Sequence, residues 1–321
     1  MSESPMSPNW ERVNPKQSLV FVLAIAIIGF FFVGPFISLL VAVPFYEGSL
    51  MDMINAMSNP LSFPGIRNAM MLVQGMNTFL AFIVAPYLYS RYFLKLTNKD
   101  LFGKEAPPPI ITLLVFIIVI VFMVANSIFI EWNQNVELPE SLSGFERWAK
   151  TFENKAQEIT LFFTRFDGIS EFLVGLLVIA IIPAVGEELV FRGLVQNHIQ
   201  IITKNIHVAI WASAFLFSFF HFQFYGFVPR MFLGALFGYM YVWSGNIIYP
   251  IIGHFINNGF TLLMVYFYHT GAVEFDIEST ESVPITNVLV SMVVCSVLLY
   301  LFQSYFRKKK LNEQLEVDLQ N

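Results

Sequence analysis

The chain has 321 residues, of which 56% are hydrophobic and only 13% are charged, whereas a soluble globular chain carries roughly 25% charged residues. This composition excludes an ordinary cytosolic domain and an intrinsically disordered chain. The net charge of -5 excludes a basic surface for nucleic acid, and the single cysteine, Cys295, excludes a disulfide framework and a cysteine-based zinc site.

Apolar blocks of about 20 residues recur along the chain, and each is long enough to cross about 30 Å of hydrocarbon as a helix. They predict an all-α fold: a polytopic membrane helical bundle with about eight transmembrane helices and one or two interfacial amphipathic helices. The predicted spans lie near 18–45, 69–93, 108–131, 169–195, 206–223, 230–243, 247–268 and 284–306.

The first apolar stretch is too long for a removable signal peptide, so we expect a retained helix. The predicted segments of the chain are a polar N-terminal tail at 1–17, spans one to three at 18–131, an extracytoplasmic loop with an amphipathic helix at 132–168, a core of spans four to seven at 169–268, span eight at 284–306 and a cytoplasmic tail at 307–321.

Lysine and arginine placement predicts the orientation, because basic residues near span ends stay on the cytoplasmic side. With both termini inside, the inner segments hold eleven of these residues and the outer segments six, with Arg192 set aside inside a span. The six outer residues are Arg67, Arg147, Lys150, Lys155, Arg165 and Arg230. The outer loop 270–283 has no basic residue but carries Glu274, Asp276, Glu278 and Glu281. We therefore expect an integral protein of the cell's inner (cytoplasmic) membrane with both termini in the cytoplasm.

The segment 145–163 has the pattern of an amphipathic helix, since its apolar residues recur at steps of three and four. Such a helix lies in the plane of the lipid headgroups, and the short segment 51–57 has a similar pattern on a smaller scale. Two interpretations of 145–163 stay open, a surface anchor and a lid over a cavity in the membrane. The apolar residues are Phe145, Trp148, Phe152, Ala156, Ile159 and Phe163, opposite Glu146, Lys150, Glu153 and Lys155.

Few ionisable or strongly polar side chains occur inside the predicted spans, where a charge costs at least about 2.5–3.5 kcal/mol. Such residues are candidates for function by default. They lie in three spans only and are Glu187, Glu188 and Arg192 in span four, His221 at the end of span five, and His254 and Asn258 in span seven.

Helical spacing separates the two glutamates. Glu188 and Arg192 stand at i and i+4, so they share a face and can form an ion pair, which offsets the desolvation of both. Glu187 lies about 100° round the same helix and stays available to point into a cavity. The alternative is that both glutamates are structural and share the one arginine.

His254 and Asn258 are one turn apart on one face, where two donors can stabilise an oxyanion. They can equally bond to each other or to the backbone. Phe217, one turn before His221, is expected to pack against the wall of the site. The other histidines, His198, His207 and His269, lie near predicted span ends, and we expect them at the membrane interface.

Two chemistries fit these residues. In one, Glu187 and His221 activate a water molecule while His254 and Asn258 stabilise the tetrahedral intermediate of amide hydrolysis. In the other, Glu187, His221 and His254 bind zinc and leave a position open for water. No HExxH motif is present, so the zinc alternative lacks its strongest local signal. Neither a membrane-embedded GxSxG motif nor a pair of intramembrane aspartates is present, so serine and aspartyl hydrolysis are disfavoured.

The polar pattern resembles the CAAX protease and bacteriocin-processing family of intramembrane endopeptidases, also called CPBP or Abi, and its type II CAAX prenyl proteases. The family signature is EExxxR, FxxxH and HxxxN on successive membrane helices. The chain matches all three in order within about 180–260, a quarter of its length. The matching residues are Glu187, Glu188 and Arg192, then Phe217 and His221, then His254 and Asn258.

The resemblance implies a role for each of these residues. Glu187 would be the catalytic acid–base, assisted by His221, and His254 and Asn258 would polarise the substrate carbonyl. Glu188 and Arg192 would support them. The implied partners are the lipid bilayer and a membrane-associated protein or peptide, either prenylated or bacteriocin-like, and no oligomeric state is predicted. Need for a metal is disputed in the family, so a divalent ion such as zinc stays open as a cofactor.

Depth in the membrane constrains this site. A straight span four would place Glu187 near the inner face, whereas span five would place His221 about 15 residues, roughly 22 Å, above that face. Span six has only about 13 apolar residues, which indicates a shallow, recessed hairpin for spans five and six, and Pro183 can kink span four. A shared site requires one of these departures.

Other functions compete with an intramembrane endopeptidase. A transporter or proton relay would carry ions on the Glu, His and Arg cluster, although the sequence has neither an internal repeat nor a pair of broken helices. A non-catalytic immunity or scaffold protein would use the same fold, although such a protein has no need of every motif residue.

Overall fold

A computed structural model describes residues 13–63, 65–103, 105–166, 168–273 and 282–320, and within these ranges the regular structure is entirely helical. This confirms the predicted all-α polytopic bundle. The first twelve residues of the predicted tail and the acidic residues Glu274, Asp276, Glu278 and Glu281 lie outside the described residues. The helices are α1 Pro15–Phe45, α2 Leu50–Ser58, α3 Arg67–Tyr92, α4 Asn98–Phe102, α5 Pro109–Gln134, α6 Ser143–Thr164, α7 Ile169–Thr203, α8 Ile206–Phe219, α9 Phe227–Ser244, α10 Ile248–His269 and α11 Ile285–Gln320.

Eight of these helices occupy the eight predicted spans, but the number that can cross a membrane is smaller. Within the described ranges, α1, α3, α5, α7, α10 and α11 are long and apolar enough to do so. Helix α8 has 14 residues, about 21 Å of helix, which is shorter than the hydrocarbon layer. The predicted count of eight transmembrane helices is therefore not confirmed. Helices α8 and α9 pack along each other as a hairpin.

Helix α7 is longer than the sequence predicts. The prediction ends it near 195, but the helix continues to Thr203, where Lys204 adopts a left-handed conformation. Asn205 then caps the start of α8 by accepting hydrogen bonds from two backbone N–H groups. The prediction failed because three consecutive polar residues, Gln196–His198, are typical of a loop, yet all three are buried here.

His198, which the sequence predicts at the membrane interface, is enclosed by neighbouring helices. His198 is buried, its Nδ1 is 2.7 Å from the carbonyl oxygen of Leu194, and its Nε2 is 2.6 Å from the Ser18 hydroxyl. Ser18 also bonds to the Tyr89 hydroxyl. This buried polar group joins α1, α3 and α7, which explains why a histidine is tolerated there. His207 and His269 are exposed at helix ends.

Three of the long helices contain a π-helical turn directly before a proline. The turns end at Val33, Val84 and Ile181, and the prolines follow two residues later at 35, 86 and 183. Because proline has no N–H for the carbonyl four residues earlier, the helix changes its hydrogen-bond register there instead of breaking. In α7 this irregular turn immediately precedes the segment that carries the two glutamates.

The two largest apolar clusters of the interior lie on either side of the site. One is built from α1, α3, α7 and α8 and includes Phe82, Phe191 and Phe217. The other is built from α5, α9, α10 and α11 and includes Phe237 and Phe302. Many large apolar side chains on α1, α5 and α11 point away from the bundle and are exposed, as expected of surfaces in contact with lipid. The polar residues of the core lie between the two clusters.

Amphipathic helices occupy both predicted places. Helix α6 covers 145–163, and α2 covers 51–57 and begins with a capping box formed by Ser49 and Asp52. The ring of Phe145 on α6 makes an edge contact with Phe224 in the loop between α8 and α9. Helix α11 continues through the predicted C-terminal tail as far as Gln320, which the sequence pattern did not indicate.

Candidate active site

Polar residues of α7, of the loop after α8 and of α10 meet near the middle of the bundle. Glu187 lies close to the midpoint of α7, and the added length of α7 is what sets its depth. Only Lys204 and Asn205 separate α7 from α8. Glu187 precedes this connection by about as many residues as His221 follows it, so the two side chains reach the same level. The depth problem of the sequence prediction is thereby removed.

Glu188 is a completely enclosed carboxylate with two partners. The Nη1 of Arg192 donates to its Oε1 over 2.7 Å, and the Nδ1 of His254 lies 2.8 Å from the same oxygen. Glu188 and Arg192 are 0% exposed at their side chains. The expected pairing of Glu188 with Arg192 is present, and the bond to His254 is a feature that helical spacing did not reveal.

Glu187 faces a different environment. Its Oε2 lies 4.0 Å from the Nε2 of His221 and 3.9 Å from the Nε2 of His254. Both separations are too long for a direct hydrogen bond, and this oxygen has no hydrogen-bond partner among the described residues. The Glu187 side chain keeps 16% exposure and that of His221 keeps 30%. The exposed part of Glu187 lies elsewhere on the side chain, because its Oε2 is buried.

The loop after α8 holds His221. The Nδ1 of His221 donates to the carbonyl oxygen of Phe217 over 2.8 Å, which leaves its Nε2 directed toward Glu187. Phe222, the next residue, has a φ of 54°, a left-handed conformation that costs about 1–3 kcal/mol for a bulky residue. The surrounding contacts must therefore hold this loop in place.

Asn133 at the end of α5 supplies two of these contacts. Its Nδ2 donates to the carbonyl oxygen of Phe224 over 3.1 Å, and its Oδ1 accepts from the N–H of Val228 over 2.8 Å. The Ser218 hydroxyl bonds to the carbonyl oxygen of Phe227. The sequence prediction did not include Asn133, although a polar residue in an otherwise apolar helix indicates a hydrogen bond to a neighbouring segment.

Asn258 lies one turn beyond His254 on α10, as predicted, but its observed bonds go elsewhere. Its Nδ2 is 3.4 Å from the carbonyl oxygen of Ile179, and its Oδ1 accepts from Asn257. Ile179 is four residues before Pro183. Because proline has no N–H, the carbonyl oxygen of Ile179 lacks the hydrogen bond that this position would otherwise donate. Asn258 has a second amide N–H that these bonds do not use.

Phe217 forms the wall between the charged residues. Its ring makes edge contacts with the rings of His221 and His254, with centroids 5.1 and 5.8 Å apart. The guanidinium carbon of Arg192 lies 4.7 Å from the centre of the same ring. On the other side, the ring of Phe237 stacks on His254. The buried cation is thus held by aromatic faces as well as by Glu188.

Arg230 is a second arginine at the level of the site, which the sequence prediction had assigned to an outer segment. Arg192 donates to the carbonyl oxygen of Gly234, and Gln196, four residues on, donates to that of Gly238. Helices α7 and α9 therefore pack side by side and run in the same direction, with Arg192 opposite Gly234 and Gln196 opposite Gly238. One helical turn earlier, the same alignment places Arg230 opposite Glu188.

The predicted zinc ligands stand farther apart than the ligands of one zinc ion. Nitrogen and oxygen ligands at 2.0–2.2 Å around a tetrahedral zinc ion stand roughly 3.3 Å apart, whereas Glu187 lies 3.9 and 4.0 Å from the two histidine nitrogens. In the part of the chain that the structure describes, no group of three His, Cys, Asp or Glu residues has the geometry of a metal site. We therefore derive no step of the chemistry through a metal ion.

Residues 169–260 match the family described as "Type II CAAX prenyl endopeptidase Rce1-like". The match covers the segment with all three motifs and confirms the resemblance found in the sequence. A stretch of 109 residues, 32% of the chain, is 28% identical to the uncharacterized protein YpbD of Bacillus subtilis (strain 168). The chain spans about half the length of this relative, 53%. No solved structure matches the chain.

The apolar helices and this match together identify an integral membrane protein whose core is similar to a family of proteases.

Proposed function

We propose that the protein is an intramembrane endopeptidase that hydrolyses a peptide bond in a membrane-associated protein or peptide. One observation carries the proposal: Glu187 Oε2, a buried carboxylate oxygen that has no hydrogen-bond partner among the described residues, faces two imidazole nitrogens at 3.9 and 4.0 Å. A water molecule bonded to the carboxylate can also bond to an imidazole at these separations, because each hydrogen bond spans about 2.8 Å. The water is then held by a general base.

Hydrogen-bond partners fix where the imidazole protons lie. A carbonyl oxygen can only accept, so His221 carries a proton on Nδ1, and its Nε2 in the neutral ring is an acceptor. His254 carries a proton on Nδ1 because its partner is the Glu188 carboxylate. We propose that His254 works in its doubly protonated form, in which Glu187 and Glu188 together balance the charges of Arg192 and His254, and that its Nε2–H is available to a substrate oxygen.

The reaction follows from these positions. Water donates one hydrogen bond to His221 Nε2 and its other proton to Glu187, and the resulting hydroxide attacks the substrate carbonyl carbon. His254 Nε2–H and the second amide N–H of Asn258 stabilise the oxyanion of the tetrahedral intermediate. Glu187 then gives its proton to the leaving amine as the C–N bond breaks, which restores the starting state of the site.

An apolar cavity next to the His221 loop favours a substrate with an apolar chain, such as a prenylated CAAX-type protein. The cavity has a volume of about 360 Å³ and lies between α1 and the end of α8. Its lining is entirely apolar and consists of Ile27, Phe31, Phe32, Phe219, Phe220 and Phe222. We propose that such a chain enters from the lipid and brings its peptide to Glu187.

The test uses the full chain in liposomes with a mixture of membrane-anchored peptides that carry a prenylated cysteine near the C terminus. We expect cleavage by the unaltered protein and a loss of at least 100-fold in rate on Glu187→Gln, since general-base catalysis contributes about 10²–10⁴-fold. Glu140→Gln, at an exposed glutamate outside the bundle, is the control and should cleave normally. Full activity of Glu187→Gln would refute the assignment.

A further inference from the structure

The proposed reaction requires a movement of the protein, because the oxygen that acts on water is enclosed. Glu187 Oε2 is buried, yet a substrate has to bring a peptide carbonyl next to it. The neighbouring residues of α7 and α10 are held in place by buried bonds from Glu188 to Arg192 and His254. The part that moves is therefore expected among the elements that cover the site, as lids and loops do in many enzymes.

Helix α6 covers the His221 loop and is weakly anchored. Of the 22 residues that the structure describes in α6, only Ala149 and Thr164 are buried, whereas eight of the 18 residues of α9 are buried. The exposed side chains of α6 include the aromatic rings of Trp148 and Phe152. An element with few buried contacts opens at a low cost in free energy, and its exposed apolar rings keep it at the membrane surface while it does so.

Two side chains of α6 contact the loop after α8. The ring of Phe145 makes an edge contact with the ring of Phe224, with centroids 5.5 Å apart. About two turns further along α6, Glu153 accepts a hydrogen bond from the side-chain amide of Gln223 over 3.3 Å and another from the backbone N–H of Tyr225. The closed position of α6 on this loop therefore depends on one carboxylate and one aromatic ring.

The same contact leaves three polar atoms unpaired. Glu153 Oε2, Tyr225 Oη and Arg230 Nη1 are buried and have no hydrogen-bond partner among the described residues. The Arg230 charge lies within electrostatic range of both Glu153 and Glu187, so it attracts the helix and the site together. A buried polar atom without a hydrogen bond costs free energy, which hydration regains when the contact opens. The closed position is therefore only weakly favoured, as a lid requires.

We propose that α6 is a lid over the catalytic site, which Glu153 holds closed on the His221 loop and which opens to admit the peptide. The inference rests on the proposed endopeptidase function and adds an opening step before the chemistry. Of the two interpretations of 145–163, a surface anchor and a lid, these contacts favour the lid. A surface anchor needs only its apolar side, whereas a carboxylate that reaches inward to the loop of a proposed catalytic residue serves a lid.

The first experiment ties α6 to the loop. In a Cys295→Ser background, Phe145→Cys and Phe224→Cys are joined by a short bis-methanethiosulfonate linker, which dithiothreitol removes. With the full chain in liposomes and the same peptide mixture, we expect the linker to lower the cleavage rate at least about tenfold and dithiothreitol to restore it, because binding falls with the fraction of open lid. Arg147→Cys with Phe224→Cys is the control, since Arg147 is exposed on another face of α6, and its rate should not change with the linker. An unchanged rate in the linked Phe145 and Phe224 pair would overturn the lid while the endopeptidase function stands.

The second experiment follows the lid without using cleavage. Ala149 of α6 is 1% exposed, so a water-soluble methanethiosulfonate labels Ala149→Cys, in the same Cys295→Ser background, only when α6 lifts. Glu153→Ala removes both hydrogen bonds to the loop and should raise this labelling rate at least about tenfold. Asn154→Ala, at the exposed neighbour of Glu153, is the control and should leave the rate unchanged. Equal labelling rates in the two variants would overturn the lid. Faster labelling in Glu153→Ala, together with no cleavage by the unaltered protein, would overturn the endopeptidase function and leave the movement of α6 standing.

Discussion

Glu187 and Glu188 are neighbours in the chain and yet have opposite surroundings. A rotation of about 100° between successive helical residues turns Glu188 toward Arg192 and His254, and turns Glu187 toward His221 and the other nitrogen of His254. Glu188 has its charge balanced and no contact with water, so it can hold His254 in one orientation. Glu187 Oε2 lies 3.9 and 4.0 Å from the two histidine nitrogens, separations that a bridging water molecule can span.

This contrast predicts different stabilities for two adjacent substitutions. Glu188→Gln leaves the enclosed Arg192 without a counter-charge, and breaking a buried ion pair in this way costs about 3–5 kcal/mol. Glu187→Gln removes a partly exposed carboxylate that lies 3.9 and 4.0 Å from its histidine neighbours. The loss in free energy of unfolding should therefore be much smaller than for Glu188→Gln. Thermal unfolding in detergent should show a clearly lower Tm for Glu188→Gln and a Tm near that of the unaltered protein for Glu187→Gln.

The double variant Glu188→Gln with Arg192→Met is the matched control, because it removes the cation together with its partner. Its Tm should lie above that of Glu188→Gln alone, since an uncompensated buried charge is worse than an apolar side chain of similar length. Equal Tm values for the two single variants would show that the enclosed pair does not hold the bundle together.

Helical spacing was sufficient to predict contacts within one helix but not contacts between helices. The Glu188–Arg192 pair follows from positions i and i+4. The bond from His254 to Glu188, and the position of Arg230 beside them, depend on how α7, α9 and α10 are aligned, which periodicity does not encode. Arg230 was assigned to an outer loop because the predicted span began at that residue, whereas α9 begins at Phe227.

At the scale of whole helices, the length of α7 decides whether the site exists. The predicted end near 195 would have left Glu187 close to the inner face. Gln196, Asn197 and His198 resemble a loop in the sequence, but each finds a partner on its own or a neighbouring helix. Polar groups that are satisfied by packing cannot be distinguished from solvated ones by composition.

The contacts between α5 and the His221 loop lead to a prediction about activity. Asn133→Ala removes the partners of the Phe224 carbonyl and the Val228 N–H, and each buried polar group left unpaired costs about 1–3 kcal/mol. The strained loop that carries His221 should then relax. We expect kcat for peptide cleavage to fall at least about tenfold, measured on the liposome-bound protein.

Asn135→Ala is the control for this substitution. Asn135 lies two residues further along at the end of the same helix, is exposed, and bonds only to the carbonyl oxygen of Glu131. It should retain normal cleavage and a normal Tm. If Asn133→Ala cleaves as well as Asn135→Ala, the α5 contacts are not needed to place His221.

At the scale of the whole molecule, the structure favours six crossings and a hairpin that does not cross. Helix α8 extends about 21 Å, and the loop that follows it is irregular backbone, which is tolerated at membrane depth only where protein covers it. Helix α6 supplies this cover through Phe145 and Glu153. The composition predicted a membrane bundle, but it could not distinguish a crossing helix from a short one that turns back.

Six crossings and a returning hairpin leave both ends of the chain on the same side, and single-cysteine labelling tests this arrangement. In a Cys295→Ser background, the exposed positions for new cysteines are Lys99 between α3 and α5, Thr151 on α6 and Asn312 on α11. We expect a membrane-impermeant maleimide to label Thr151→Cys in intact cells, and to label Lys99→Cys and Asn312→Cys only after permeabilisation, because the basic residues concentrate on their side. The reverse pattern would invert the orientation. Labelling of Asn312→Cys on the same side as Thr151→Cys would mean an odd number of crossings after Lys99, and would require either α8 or α9 to cross the membrane without its partner.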